Sequence, residues 1–155
     1  MVRILPIPHD VNSSYLRGTA GGPGRILAQE HTGSANVYAE GGRAIRIHED
    51  YQVLDEIPVA HMQGEEAFQR IRGRVQQELS GSQGPLFCFG GDHSISYPVL
   101  TAYATVHQPV HVLQLDAHSD LYANLDGNPY SHASPFARLL EQKLIASLTQ
   151  VGIRS

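Results

Sequence analysis

The chain is expected to fold as an α/β domain, a parallel sheet with helices on both faces, and three observations point that way. Short apolar, β-branched runs alternate with stretches of helical periodicity. Gly- and Pro-containing turns separate them. The most polar clusters follow directly on two of the apolar runs, where open parallel sheets hold their ligands.

Taken in order, Val2 to Pro8 (VRILPIP) reads as a short buried strand closed by Pro8. The glycine-rich RGTAGGPGRILAQE follows, with Pro23 suited to open a helix carrying Ile26 and Leu27. YQVLDEIPV, from Tyr51, supplies a strand ending at Pro58. From Gly64 to Leu79 the residues Phe68, Ile71, Val75 and Leu79 recur at helical spacing. Ser80 to Gly84 is a turn by composition. Leu86 to Phe89 is a strand running into a double glycine, and SYPVLTAYATV is a helix with Pro98 tolerated in its first turn. Val110 to Leu115 is a strand that stops at Asp116. SPFARLLEQKL places Ser134 as N-cap and Pro135 first, with Phe136, Leu139, Leu140 and Leu144 on one face. LTQVGIRS is a last strand. With nothing after it to cover the sheet, residues 1–155 are expected to be the N-terminal portion of a single domain, truncated here.

Composition sets the bounds. A length of 155 residues suits one domain, and 41% hydrophobic with 17% charged residues is ordinary globular usage. A net charge of −4 without a basic stripe argues against nucleic acid, and no apolar run is long enough for a membrane span. The single Cys88 excludes an internal disulfide, making the reducing cytoplasm the default; between Phe87 and Phe89 it reads as an inert core thiol.

The chemistry lies at two strand ends, GGDHS (Gly90 to Ser94) and DAHSD (Asp116 to Asp120). In an extended segment side chains at i, i+2 and i+4 share a face, so Asp116, His118 and Asp120 are expected to point into one cleft. His93 would join them from the neighbouring strand end. Carboxylates with imidazoles suit a hard or borderline divalent ion, Mn²⁺ better than zinc.

These two blocks resemble signature motifs of the ureohydrolase family, which comprises arginases, agmatinases, guanidinobutyrases and formiminoglutamases. SHASP (Ser131 to Pro135) is similar to the next family block, and RGTAGGPGRI to its N-terminal glycine pattern. The resemblance implies the three-layer α/β arginase-like fold and a pair of Mn²⁺ ions. By it, His93 and Asp120 bind one ion, His118 the other, and Asp116 bridges both. His132 matches the family's histidine near the substrate, implicated in proton transfer, and a histidine suits that role because its pKa lies near neutrality.

The implied reaction is hydrolysis of a guanidino compound to urea and an amine by a hydroxide bridging the two metals. Two Mn²⁺ ions carry more charge than Asp116, Asp120 and one hydroxide offset, and the family's later D-x-D block has no counterpart after Asp120. DLYAN (Asp120 to Asn124) resembles the agmatinase side of the family, with Asn124 among the substrate contacts. Tyr122 stands where arginases usually have an asparagine, which favours an agmatine-like substrate over arginine. The resemblance also implies a homo-oligomer at full length. Two other readings stand beside this one: a catalytically incomplete metal-binding fragment, and a deacetylase-type amide hydrolase, whose usual single zinc and His-rich motif differ from GGDHS.

Overall fold

A computed structural model describes residues 1–81 and 84–154. Strand β1 (Val2–Ile7) lies between β2 (Tyr51–Val53) and β3 (Leu86–Gly90) in a parallel sheet of order β2-β1-β3. Alternation along β1 sorts its two faces. Leu5 and Ile7 join Phe68, Ile71, Val75 and Leu79 of α2 (Gly64–Gly81) in the main core, and Arg3 donates to the Glu78 carbonyl on the same helix. Ile4, on the other face, lines a hollow with Ile26 and Leu27, which extend from α1 (Gly22–Ala28). The first sheet therefore has helices on both faces, as expected.

Strand β2 is shorter than YQVLDEIPV suggests, and Pro6 supplies the reason. The Pro6 carbonyl faces that side and accepts from Ile57 N–H at 3.0 Å, but proline has no N–H to return. Regular pairing ends at Ile4 and Val53, while the ladder to β3 continues to Ile7 and Gly90. Helix α2 follows its predicted period closely. Of the turn expected at Ser80 to Gly84, Ser80 and Gly81 finish α2, and Ser82 and Gln83 lie outside the described residues.

Helix α3 (Ser96–Val106) packs between α2 and α4 (Pro135–Glu141). Helix α4 departs from the expected pattern at its end. Leu139 is fully buried, but its neighbour Leu140 is 41% exposed, because adjacent helical residues point about 100° apart and only one can face a narrow core. Leu144 reaches the core from beyond the helix, through a turn in which Lys143 takes a φ of 54°. Ser134 occupies the N-cap position without a side-chain cap hydrogen bond.

The sheet itself is divided. Strands β4 (His111–Leu115) and β5 (Ser147–Val151) pair in parallel as a second sheet, where one continuous sheet was expected. A cleft of about 350 Å³ lies between β3 and β4, lined by Cys88 on one side and by Val112, Gln114 and Leu115 on the other. Leu113 and Leu115 are 64% and 74% exposed, so one face of β4 is bare among the described residues.

Candidate metal centre

Both polar blocks open onto that cleft, from opposite sides. β3 ends at Gly90, and Gly91 must be glycine for want of space: a Cβ there would sit 2.2 Å from the His9 carbonyl oxygen. The tight passage delivers Asp92 as the cap of the following helical turn, where its carboxylate accepts from Ser94 N–H at 2.9 Å. His93 then projects towards the cleft, its ring set edge-on against Phe136 with centroids 5.7 Å apart.

From the other side come Asp116 and Asp120. His93 Nδ1 lies 2.6 Å from Asp120 Oδ2 and 3.8 Å from Asp116 Oδ2. One ligand atom from each of the three residues falls within 4.8 Å of the other two. Asp120 is nearly buried, and Gln114 donates to the same Oδ2 at 3.1 Å.

Residues 116–120 do not run extended, so the shared-face geometry is corrected. The Asp116 carboxylate takes the His118 N–H at 2.9 Å, curling the backbone, and Asp120 has a φ of 51°. His118 consequently turns away. Its side chain is 69% exposed and meets Asp116 at 3.4 Å, outside the group of three. Asp120 reaches His93 through the left-handed turn rather than through strand alternation. The two blocks also stand on strands of separate sheets that face each other across a cleft, not on adjoining ones.

Electrostatics follow the geometry. Burial disfavours the His93 imidazolium, but the hydrogen bond and charge of Asp120, with Asp116 and Asp92 behind it, outweigh burial and hold its pKa above the ordinary histidine value. The His118 N–H bond holds Asp116 below the usual carboxylate range against a smaller opposing effect of burial, with His93, Gln114 and His118 assisting. Cys88, lining the same cleft, is pushed up to about 12 by burial, which leaves it a poor thiolate.

His132 and Asn124 lie elsewhere in the loop between β4 and α4. His132 Nδ1 contacts the Asn12 carbonyl oxygen at 3.1 Å. Asn124 is exposed, and its Oδ1 accepts from Gly127 N–H at 3.3 Å, closing a turn. Sequence reasoning passed over the groups that hold these loops. Gln114 is buried and braced by Gln150, whose Nε2 donates to Gln114 Oε1 and to the Ser119 carbonyl, both at 2.6 Å. Asp10 is buried and accepts from Gly18 and Ala20 N–H, anchoring the glycine-rich loop. The one signal available was a polar Gln114 at a core-facing position of an apolar strand. His9 is fully buried, with Nδ1 at 3.2 Å from the Val59 carbonyl oxygen.

Comparison with known proteins gives a consistent result. The family profile described as Arginase family matches residues 1–155. Arginase 1, mitochondrial, from Arabidopsis thaliana is 40% identical over 167 residues, covering 98% of this chain and 46% of that protein. N(1)-aminopropylagmatine ureohydrolase from Thermus thermophilus is 34% identical over 156 residues, covering 99% and 51%. The solved arginase from Medicago truncatula superposes with a TM-score of 0.83 at 34% identity, covering 99% of this chain and 50% of that one. The chain thus spans about half the length of the curated relatives it matches.

Proposed function

The chain belongs to the arginase family, and on that premise we propose that residues 1–155 are the N-terminal portion of a single ureohydrolase domain. The whole domain would hydrolyse a guanidino compound to urea and an amine. The observation that carries the reading is the meeting of His93, Asp116 and Asp120 at one cleft between two sheets.

The donor set fits a divalent cation. Two carboxylates and an imidazole converge without thiolates, the combination that manganese accepts and structural zinc sites seldom use. His93, Asp116 and Asp120 would hold one ion, and Asp116 with His118 the other. Divalent ions held there would supply Lewis acidity that activates water near neutral pH and polarises a guanidino group.

The chain's own residues do the rest. Gln114 and Gln150 keep the Asp120 carboxylate aimed at the cleft. His132 carries the proton that the leaving amine needs. The 121–130 loop, with Asn124, meets the substrate's tail, and Tyr122 favours an agmatine-like compound without a carboxylate. The arginases among the relatives support arginine as the second reading of the substrate. The lone Cys88 fits a reducing compartment such as the cytoplasm, and the full-length protein would act as a homo-oligomer.

The test measures manganese uptake and urea release from agmatine, arginine and guanidinobutyrate. Both are run on the chain alone and with the second half of a relative supplied. Urea from agmatine ahead of arginine is expected once the second half is present. Metal uptake without urea in that mixture would make the chain a catalytically incomplete metal-binding fragment. Failure to take up manganese would end the hydrolase reading.

A further inference from the structure

We propose that Asp92, which does not join the metal group, is a positioning residue that sets the tautomer of His132 through the backbone at Asn12 and Ser13. The two residues belong to separate loops, and Asn12 is the link between them. His132 Nδ1 lies 3.1 Å from the Asn12 carbonyl oxygen, and the His132 backbone N–H reaches the same oxygen at 3.3 Å. A carbonyl oxygen only accepts, so this contact requires a proton on Nδ1. Neutral His132 is then the Nδ1–H tautomer, and the lone pair belongs to Nε2.

The peptide that carries the Asn12 carbonyl has its own N–H, that of Ser13, bonded to the Asp10 carbonyl at 3.2 Å, and the Asp92 carboxylate grips the backbone on one side of it and the Ser13 side chain on the other. Asp92 Oδ2 accepts from Asn12 N–H at 3.0 Å and from Ser13 Oγ at 3.2 Å. Its Oδ1 accepts from the Ser94 N–H and the Ser94 hydroxyl. Asp92 N–H donates to the His9 carbonyl at 2.9 Å, tying the carboxylate's own backbone to the same stretch of chain. The Asn12 side chain is fastened too: Nδ2 donates to Ser94 Oγ at 3.1 Å, and Oδ1 accepts from Asn128 Nδ2 at 3.1 Å. Asp92 and Ser94 are both buried, so these bonds form with little competition from water. A single carboxylate beside His93 thereby braces the flanks of the peptide whose carbonyl meets His132. The role rests on the reading of His132 as the proton carrier, since only then does Nε2 need to be the free nitrogen. The tautomer itself can be read without turnover.

The experiment is long-range ¹H–¹⁵N correlation of the histidine side chains in the ¹⁵N-labelled chain at about pH 8, where an imidazole is neutral. His132→Gln identifies the His132 signals. The wild-type chain is expected to show the Nδ1–H form. Asp92→Asn places an amide donor against the Asn12 N–H and the Ser13 hydroxyl, and should lower the Nδ1–H to Nε2–H ratio of His132 roughly tenfold, the ratio one neutral hydrogen bond supports. Ser13→Ala, which removes one of the bonds and leaves the carboxylate, should lower it by less and guards against an Asp92→Asn chain that does not fold. An Nε2–H His132 in the wild-type chain overturns the proposal. So does an unchanged His132 tautomer in a folded Asp92→Asn chain. If the tautomer responds as stated but the assembled enzyme retains full activity in His132→Gln, the coupling stands and the proton-carrier reading fails.

Discussion

The Asp120 carboxylate, nearly buried and shared by His93 and Gln114, makes the site sensitive to single atoms. Asp120→Asn keeps the shape but removes a charge, so manganese affinity measured by titration calorimetry should fall at least about tenfold. The same contact gives a pH dependence whose sign is determined. The folded His93 pKa is raised above its ordinary value of 6.5. Stabilisation from the charged pair is therefore complete below pH 6.5 and is lost as pH rises through the folded value. Thermal midpoints in chelator should show the wild-type chain losing stability relative to His93→Asn across that window, while a parallel pH response would count against it. The residue types at this site were readable because carboxylates and imidazoles crowd after apolar strands. The departure of His118 was not, since it depends on an Asx-type turn at Asp116 and a left-handed Asp120.

Helix α2 was legible because its apolar residues repeat at the helical period along its length, and all of them are buried. Short elements were less so: β2 depends on a proline in another strand, and α4 ends where a local turn forms. Two glycines separate close packing from mere permissiveness. Gly91→Ala would drive a Cβ into the His9 carbonyl, and displacement of the β3 turn should cost about 1–3 kcal/mol in urea denaturation. Gly24 lies inside α1 with nothing within 4 Å of an added Cβ, so Gly24→Ala should stabilise by about 0.5–1 kcal/mol. Equal effects from the two substitutions would contradict this account.

At the scale of the whole molecule, the facing edges of β3 and β4 and the bare face carrying Leu113 and Leu115 set the behaviour. A second apolar groove of about 690 Å³ opens along Val2, Ile4, Phe87 and Phe89 of the first sheet. Unpaired strand edges beside exposed apolar side chains favour association. The chain alone should self-associate in sedimentation velocity, and a Leu113→Lys, Leu115→Lys double variant should reduce this with unchanged circular dichroism. Persistent association in that variant would place the contact elsewhere. Because the chain spans about half of its relatives, mixing it with a relative's second half should suppress the same self-association.

The sequence by itself determined the α/β class, the order of strands and helices, and the residues of the two polar blocks. Each of these depends on local periodicity or on side chains a few positions apart. Only the tertiary structure decided that β3 and β4 face each other across a cleft rather than pair, that Asp120 meets His93 while His118 turns outward, and that Asp92 reaches His132 through Asn12. Those outcomes rest on contacts between segments far apart in the chain and on single backbone angles, and neither leaves a periodic trace in the order of residues.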